Sequence, residues 1–301
     1  MRLAYFQLAL SMSIVGANVA VGKIIVNELP VFLFSELRFF IALLFLIPIV
    51  LGDSKKITPL SKNNLFFLFL QSFFGVFLFS IFILYGVRFT TATSAGIITS
   101  TVPAAIALLS FFILGEKPSV RQVFSVGLAV LGISVISFQG VSTEKEGALL
   151  GNLLIIGAVI SEALFTIYAK KLSGVLSPLQ MAVGVNIMGL FLFLPFAINE
   201  ALDYSFNSIS ISMWFLIVYY SVTASVLSFI LWYRGVKKVA ASIAGLYTGF
   251  MPIAATLVSL IFLKENFGLS QLSGMVCVLC AIYLGTKKFS RAEKTISQTI
   301  K

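Results

Sequence analysis

The residue that invites chemistry is Glu162. It stands in ISEALFTIYAKK, residues 160–171, inside a stretch from 148 to 169 that is apolar enough to cross a bilayer. A carboxylate near mid-bilayer costs roughly 2.5–3.5 kcal/mol or more on insertion scales, so such acids usually face a cavity or a partner. Two chemistries are open. In one, Glu162 looks into a cavity and binds a substrate ammonium or carries a proton. In the other, it pairs with a buried base and only holds helices together. At helical spacing Ala158, Val159, Phe165, Thr166 and Ala169 share its face, a small and mildly polar surface.

Lys23, Glu36 and Arg38 lie near the ends of the first two apolar runs, joined by a short loop. A Lys23–Glu36 bridge at one depth is expected. Arg38 points about 160° away from Glu36 around a helix. It is left to meet an anionic substrate group, close an outer gate or snorkel outward. Pro103 and Pro252 sit within apolar runs and are expected to kink them, each freeing the carbonyl four residues earlier. Those carbonyls belong to Thr99 and Thr248, whose hydroxyls could satisfy the freed groups or face substrate. Kinked helices with exposed backbone polar groups are a common way to build transporter sites. Gly96-x-x-x-Ser100 and Gly245-x-x-x-Gly249 occupy matching places and read as close helix packing. Asn18, Gln71, Tyr85, Phe165, Trp232 and Tyr247 complete the candidate substrate contacts.

Other chemistries drop out. The chain has no histidine, which removes imidazole metal sites and His-dependent triads. Cys277 and Cys280 form C-x-x-C in an apolar run with no further ligands near, so they read as small buried hydrophobes. No G-x-x-x-x-G-K-[ST] motif appears, so nothing in the chain points to ATP as the energy source. The 30 phenylalanines read as lipid-facing and packing residues. No cofactor and no metal are expected.

The elements that must position these groups follow from composition. Of 301 residues, 59% are hydrophobic and 11% charged, against about 25% charged in soluble domains. Lipid must therefore be the solvent for most of the surface. Ten runs approach the ~20 residues a bilayer core requires: 4–25, 31–51, 64–87, 92–114, 120–138, 148–170, 177–197, 211–234, 240–263 and 269–287. None alternates polar and apolar as membrane strands do. Residues 4–25 read as the first span rather than a cleaved leader, because their loss would break the repeat described next. With the N-terminus inside, sixteen Lys and Arg fall in inner loops and three (Arg88, Lys145, Lys264) in outer ones. That bias predicts both termini in the cytoplasm. It also assigns the net charge of +10 to topology rather than to nucleic acid.

The chain repeats itself. GVRFTTATSAGIITSTVPAAIALLSFFILGE from Gly86 aligns without gaps with GVKKVAASIAGLYTGFMPIAATLVSLIFLKE from Gly235, at an offset of 149 and with twelve of 31 positions identical. Gly96/Gly245, Thr99/Thr248, Pro103/Pro252 and Glu116/Glu265 match, and Gln122/Gln271 extends the register. Two halves of five helices are implied. Five is odd, so the second half must enter the membrane from the opposite side, as in secondary transporters. The expected units are residues 1–142, 143–288 and a basic cytoplasmic tail, 289–301.

The pattern resembles the ten-helix branch of the drug/metabolite transporter superfamily, the EamA-type proteins. ELRFF at Glu36–Phe40, the proline-bearing fourth and ninth helices and the Glu116…Gln122 and Glu265…Gln271…Gly274 patterns carry the resemblance. It implies a central cavity lined by helices 1, 3, 4, 6, 8 and 9 and export or exchange of small metabolites. Many members carry Trp in the first and sixth helices, where this chain has Val15 and Glu162.

The sequence therefore predicts an all-α membrane protein with ten transmembrane helices in two inverted-topology five-helix repeats. It predicts a non-enzymatic secondary transporter of the inner membrane, moving a small polar metabolite such as an amino acid, in the direction of efflux, by alternating access. The alternative is a proton-coupled antiporter of lipophilic cations; a membrane-embedded enzyme or channel ranks below both. Its partners would be a small-molecule substrate, the bilayer and protons as a candidate coupling ion, with no nucleic acid, and the chain a monomer or homodimer.

Overall fold

A computed structural model describes residues 1–52, 59–90, 92–137, 148–206, 209–262 and 268–286. The Lys23 side chain, and with it the expected bridge to Glu36, lies outside the described residues, as do Glu265 and the tail 289–301.

All regular structure among the described residues is helical. Hydrocarbon supplies no hydrogen-bond partners, so a chain this apolar must satisfy its backbone within helices. The first half holds α1 (Arg2–Glu28), α2 (Val31–Gly52) and α3 (Lys62–Ser72), which runs through a π-helical segment (Phe73–Leu78) into α4 (Phe79–Phe89). Then come α5 (Ala92–Thr99), α6 (Val102–Leu114) and α7 (Val120–Ser137). The second half holds α8 (Ala148–Leu172), α9 (Pro178–Asp203) and α10 (Ile211–Tyr220), which passes through a π-helical segment (Ser221–Leu227) into α11 (Ser228–Val236). It closes with α12 (Ala241–Leu246), a 3₁₀ turn (Tyr247–Gly249), α13 (Phe250–Phe262) and α14 (Leu269–Thr286). Among the described residues seven helical runs are long and apolar enough to cross a membrane; Val102–Leu114, Val120–Ile136 and Leu272–Thr286 are shorter apolar helices.

The expected single span over 92–114 is two helices, interrupted at Ser100 and Thr101. Pro103 is the second residue of α6 and Pro252 the third of α13. A proline in a first turn loses no intrahelical bond, so the chain breaks before it rather than kinking at it. The same irregularities recur in both halves. Each has a π-helical segment in its third run and an interruption ahead of the proline in its fourth. Pro48 and Pro195 lie inside the second run of each, α2 and α9.

Packing follows suit. α2 packs on α9 and α7 on α14; α1 lies against α13 and α11, and α8 against α6 and α4. Exchanging each segment for its counterpart in the other half returns the same set of pairs. Glycine permits the closest approach: a Cβ on Gly16 of α1 would stand 2.1 Å from the Met251 carbonyl oxygen of α13. The outward faces are apolar. On α8, Leu149, Leu153, Ile156 and Ile160 are exposed, while Ala158, Ser161, Phe165 and Ala169 are buried. An apolar surface this extensive suits lipid and not water.

Candidate functional site

An internal cavity of about 220 Å³ lies between the halves. Met12 and Val15 of α1 line it, with Gly75 and Val76 of the first π-helical segment and Phe79 of α4. Thr99 ends α5, Val102 opens α6, and Ile133 comes from α7. From the second half come Glu162 and Phe165 of α8, Ser228, Phe229 and Trp232 of α11, Thr248 of the 3₁₀ turn, and Met251 and Pro252 of α13. The broken helices are what deliver Thr99 and Thr248. Each stands at the interruption ahead of a proline, so both reach the cavity from equivalent places.

Glu162 is the one charged residue in this lining, and it keeps partial exposure to the cavity. The hydroxyls around it are already oriented. Thr99 Oγ1 donates to the Ala95 carbonyl at 2.9 Å, and Thr248 Oγ1 to the Gly245 carbonyl at 2.7 Å. They bond one turn back, not to the Thr99 and Thr248 carbonyls that the sequence predicts the prolines to free. Ser11 Oγ donates to the Ser228 carbonyl at 2.9 Å, and the two seryl oxygens lie 3.0 Å apart. With their protons engaged, the threonine oxygens present lone pairs. The cavity thus offers several oxygen acceptors, holds one carboxyl group and has walls of Phe, Met, Val and Trp. Such a site suits a donor-bearing cation with an apolar remainder.

Of the residues singled out in the sequence, the lining brings together Glu162, Thr99, Phe165, Trp232, Thr248 and Pro252. Trp232 Nε1 is buried with no hydrogen-bond partner among the described residues. The others stand elsewhere. Asn18 Nδ2 donates to Thr223 Oγ1 at 3.0 Å, tying α1 to the second π-helical segment. Gln71 Nε2 donates to the Tyr233 hydroxyl at 3.0 Å, beneath Phe165, whose ring lies 6.2 Å from that of Tyr233. Tyr247 stacks between Tyr5 (5.8 Å) and Phe250 (5.9 Å). Tyr85 is largely exposed. Pro103 sits one residue past Val102, outside the lining.

Arg38 does not line this cavity. Its guanidinium lies 4.3 Å from the Phe39 ring centre and 5.7 Å from that of Tyr220, a cation–π arrangement that dissipates the cost of a charge among apolar neighbours. Sequence reading did not find Met12, Ser228, Phe229 or Met251, which are ordinary members of apolar helices. It also did not find the π-helical segments, which re-aim Gly75 and Val76 and precede Ser228; wide turns of this kind cluster at functional sites. No composition signal marks them. Among the described residues no three His, Cys, Asp or Glu side chains come together to hold a metal.

Fold and cavity define a multi-pass helical membrane protein with an internal, largely apolar site that holds one acid. The chain belongs to the EamA-like transporter family, whose pattern matches twice, over residues 2–138 and 149–286. It is 44% identical to the uncharacterized transporter YetK of Bacillus subtilis over 93% of this chain and 86% of that one. An uncharacterized transporter of Archaeoglobus fulgidus is 27% identical over 94% of this chain and 99% of its own. One solved crystal structure, 16% identical, superposes with a TM-score of 0.78 over 93% of this chain and 95% of that chain, a likeness of fold.

Proposed function

We propose that this transporter moves a small amine-bearing metabolite, an amino acid or related compound, by alternating access between two inverted five-helix halves. The observation that carries the reading is the cavity itself: one carboxylate, oriented hydroxyls and apolar walls, drawn from both halves. No Lys or Arg stands among the described residues of the lining, so the ammonium is the group the cavity recognises by charge, with apolar walls for the side chain. At about 220 Å³ the cavity falls below the ~300–1,000 Å³ of drug-sized sites.

Inversion is supported by the exchange-symmetric packing, by the shared irregularities and by the odd number of apolar runs per half. The sixteen-to-three charge bias supports cytoplasmic termini in an inner membrane. The units would be 1–142 and 143–288. The direction is efflux, energised by an ion gradient or by exchange, with Glu162 as the group that trades a proton for substrate. The chain has no catalytic role in this reading.

The aromatic walls favour a second reading, a proton-coupled antiporter of lipophilic cations. Counterflow in liposomes separates the two. Protein loaded with each member of an amine and amino-acid panel is expected to accumulate labelled amine, saturably, with lipophilic cations competing weakly. Saturable counterflow of lipophilic cations alone would overturn the metabolite reading; unsaturable flux without counterflow would overturn both.

A further inference from the structure

A second carboxylate of the protein does work the cavity does not explain. Glu116 follows Gly115, whose left-handed φ of 66° ends α6. Its carboxylate accepts hydrogen bonds from the Ala241 amide at 2.7 Å and from the Ser242 amide and hydroxyl, both at 3.2 Å. These are the first residues of α12. On the other side of the same junction Lys170 Nζ, near the end of α8, donates to the Val236 carbonyl at 3.0 Å and to the Val239 carbonyl. The link from α11 to α12 is therefore held at its carbonyls by a lysine and at its amides by a glutamate from the opposite half.

We propose that Glu116 and Lys170 form a latch that shuts the cytoplasmic side of the cavity, and that α8 couples the latch to occupancy of Glu162. The inference rests on the alternating-access reading above. Between cavity and latch, Ile106 of α6 and Ala163 and Ile167 of α8 pack against Ala241 at the latch itself as an apolar plug, each with no exposed surface. An inward opening must part α12 from α6 and α8, and that motion breaks the latch bonds. Charge-assisted bonds hold well while shielded and lose strength once water reaches them, which gives the closed state a reversible hold.

The coupling is geometric. Glu162, Thr166 and Lys170 recur every fourth residue, so they form one stripe of α8. A rise of 1.5 Å per residue sets Glu162 and Lys170 about 12 Å apart on a rigid element. The Thr166 hydroxyl between them is buried and has no partner among the described residues. A shift or rotation of α8 that follows loading of Glu162 carries Lys170 with it. The sequence also duplicates the acid. Glu265 matches Glu116 at the repeat offset of 149.

The test uses full-length protein with Cys277 and Cys280 replaced by alanine and a reporter Ala163→Cys in the plug, in oriented vesicles. A membrane-impermeant methanethiosulfonate is applied from the cytoplasmic face. Glu116→Gln and Lys170→Met are each expected to raise the reaction rate about tenfold, with Glu116→Asp nearer the parent. Unchanged rates in both variants overturn the latch, even where thermal stability falls. Should Glu116→Gln not fold, Ser242→Ala removes one of its three bonds and is expected to raise the rate about threefold; an unchanged rate there overturns the latch as well. A reporter Val15→Cys, probed from each face, separates the two levels. Equal reaction from both faces at once sinks alternating access. Alternating reaction with an unmoved Ala163→Cys rate sinks the latch alone.

Discussion

Replacing Glu162 with glutamine keeps the side chain's size and hydrogen-bonding reach and removes its charge. The consequence for an amine substrate can be worked from the cavity. A carboxylate and an ammonium in contact at 4 Å interact by about 4 kcal/mol at an effective dielectric of 20. Stripping water from the ammonium offsets part of that. Hydrogen bonds to charged groups retain about 1.5–3 kcal/mol net. Among the described residues the lining holds no second acid to take over and no cation to oppose it, so a loss of about 2 kcal/mol is expected. At 1.4 kcal/mol per decade this is close to a 30-fold rise in Kd. A neutral isostere of the same substrate should lose less than threefold, because the hydroxyls and apolar walls are untouched. The measurement is isothermal titration of purified protein with the amine and its isostere, paired with counterflow in liposomes under an imposed pH gradient. In the variant, counterflow of the amine should fall and its response to the gradient should vanish. An amine Kd within threefold of the parent would refute the assignment of Glu162 as the cation site. Unaltered gradient dependence would refute its proton role.

Further outcomes follow from the packing. A Cβ on Gly75 would lie 2.2 Å from the Cβ of Phe165, a contact no rotamer relieves. Gly75→Ala should therefore cost about 1–3 kcal/mol of stability and weaken substrate binding, read by thermal unfolding and titration. Gly16→Val meets the Met251 carbonyl at the α1–α13 contact, so it should lower the unfolding temperature more than Gly127→Val, whose Cβ meets open space. Gly115→Ala forces a side chain into the left-handed region at a cost of about 1–2 kcal/mol, seen as a lower unfolding midpoint in denaturant. Arg38→Gln should leave the amine Kd within threefold, because its guanidinium rests on Phe39 and Tyr220 outside the lining.

Much of this protein can be read before any tertiary structure. Hydropathy together with the lack of alternating polar residues compels helices, since a bilayer accepts only helices or closed barrels, whose backbone groups are paired internally. The family is legible in the matched Gly, Thr, Pro and Glu positions of the two halves, because those residue types punctuate a helix wherever they stand. Glu162 stands out for the same reason: one charge in an apolar run has a cost that must be offset. The second member of each contact is a different matter. Ser228 and Phe229 share a cavity with Glu162 only because α11 packs on α8, and Gly16 reaches Met251 across more than two hundred residues. Periodicity describes one helix at a time and says nothing of which faces meet. Thus Arg38, as conspicuous in the sequence as Glu162, rests on aromatic rings away from the lining. Lys170, which reads as an ordinary cytoplasmic charge, grips two carbonyls of the neighbouring junction. Helical content, duplication and charge bias are local properties of the chain. The cavity, its acceptor-rich character and the latch beneath it exist only where separate helices converge.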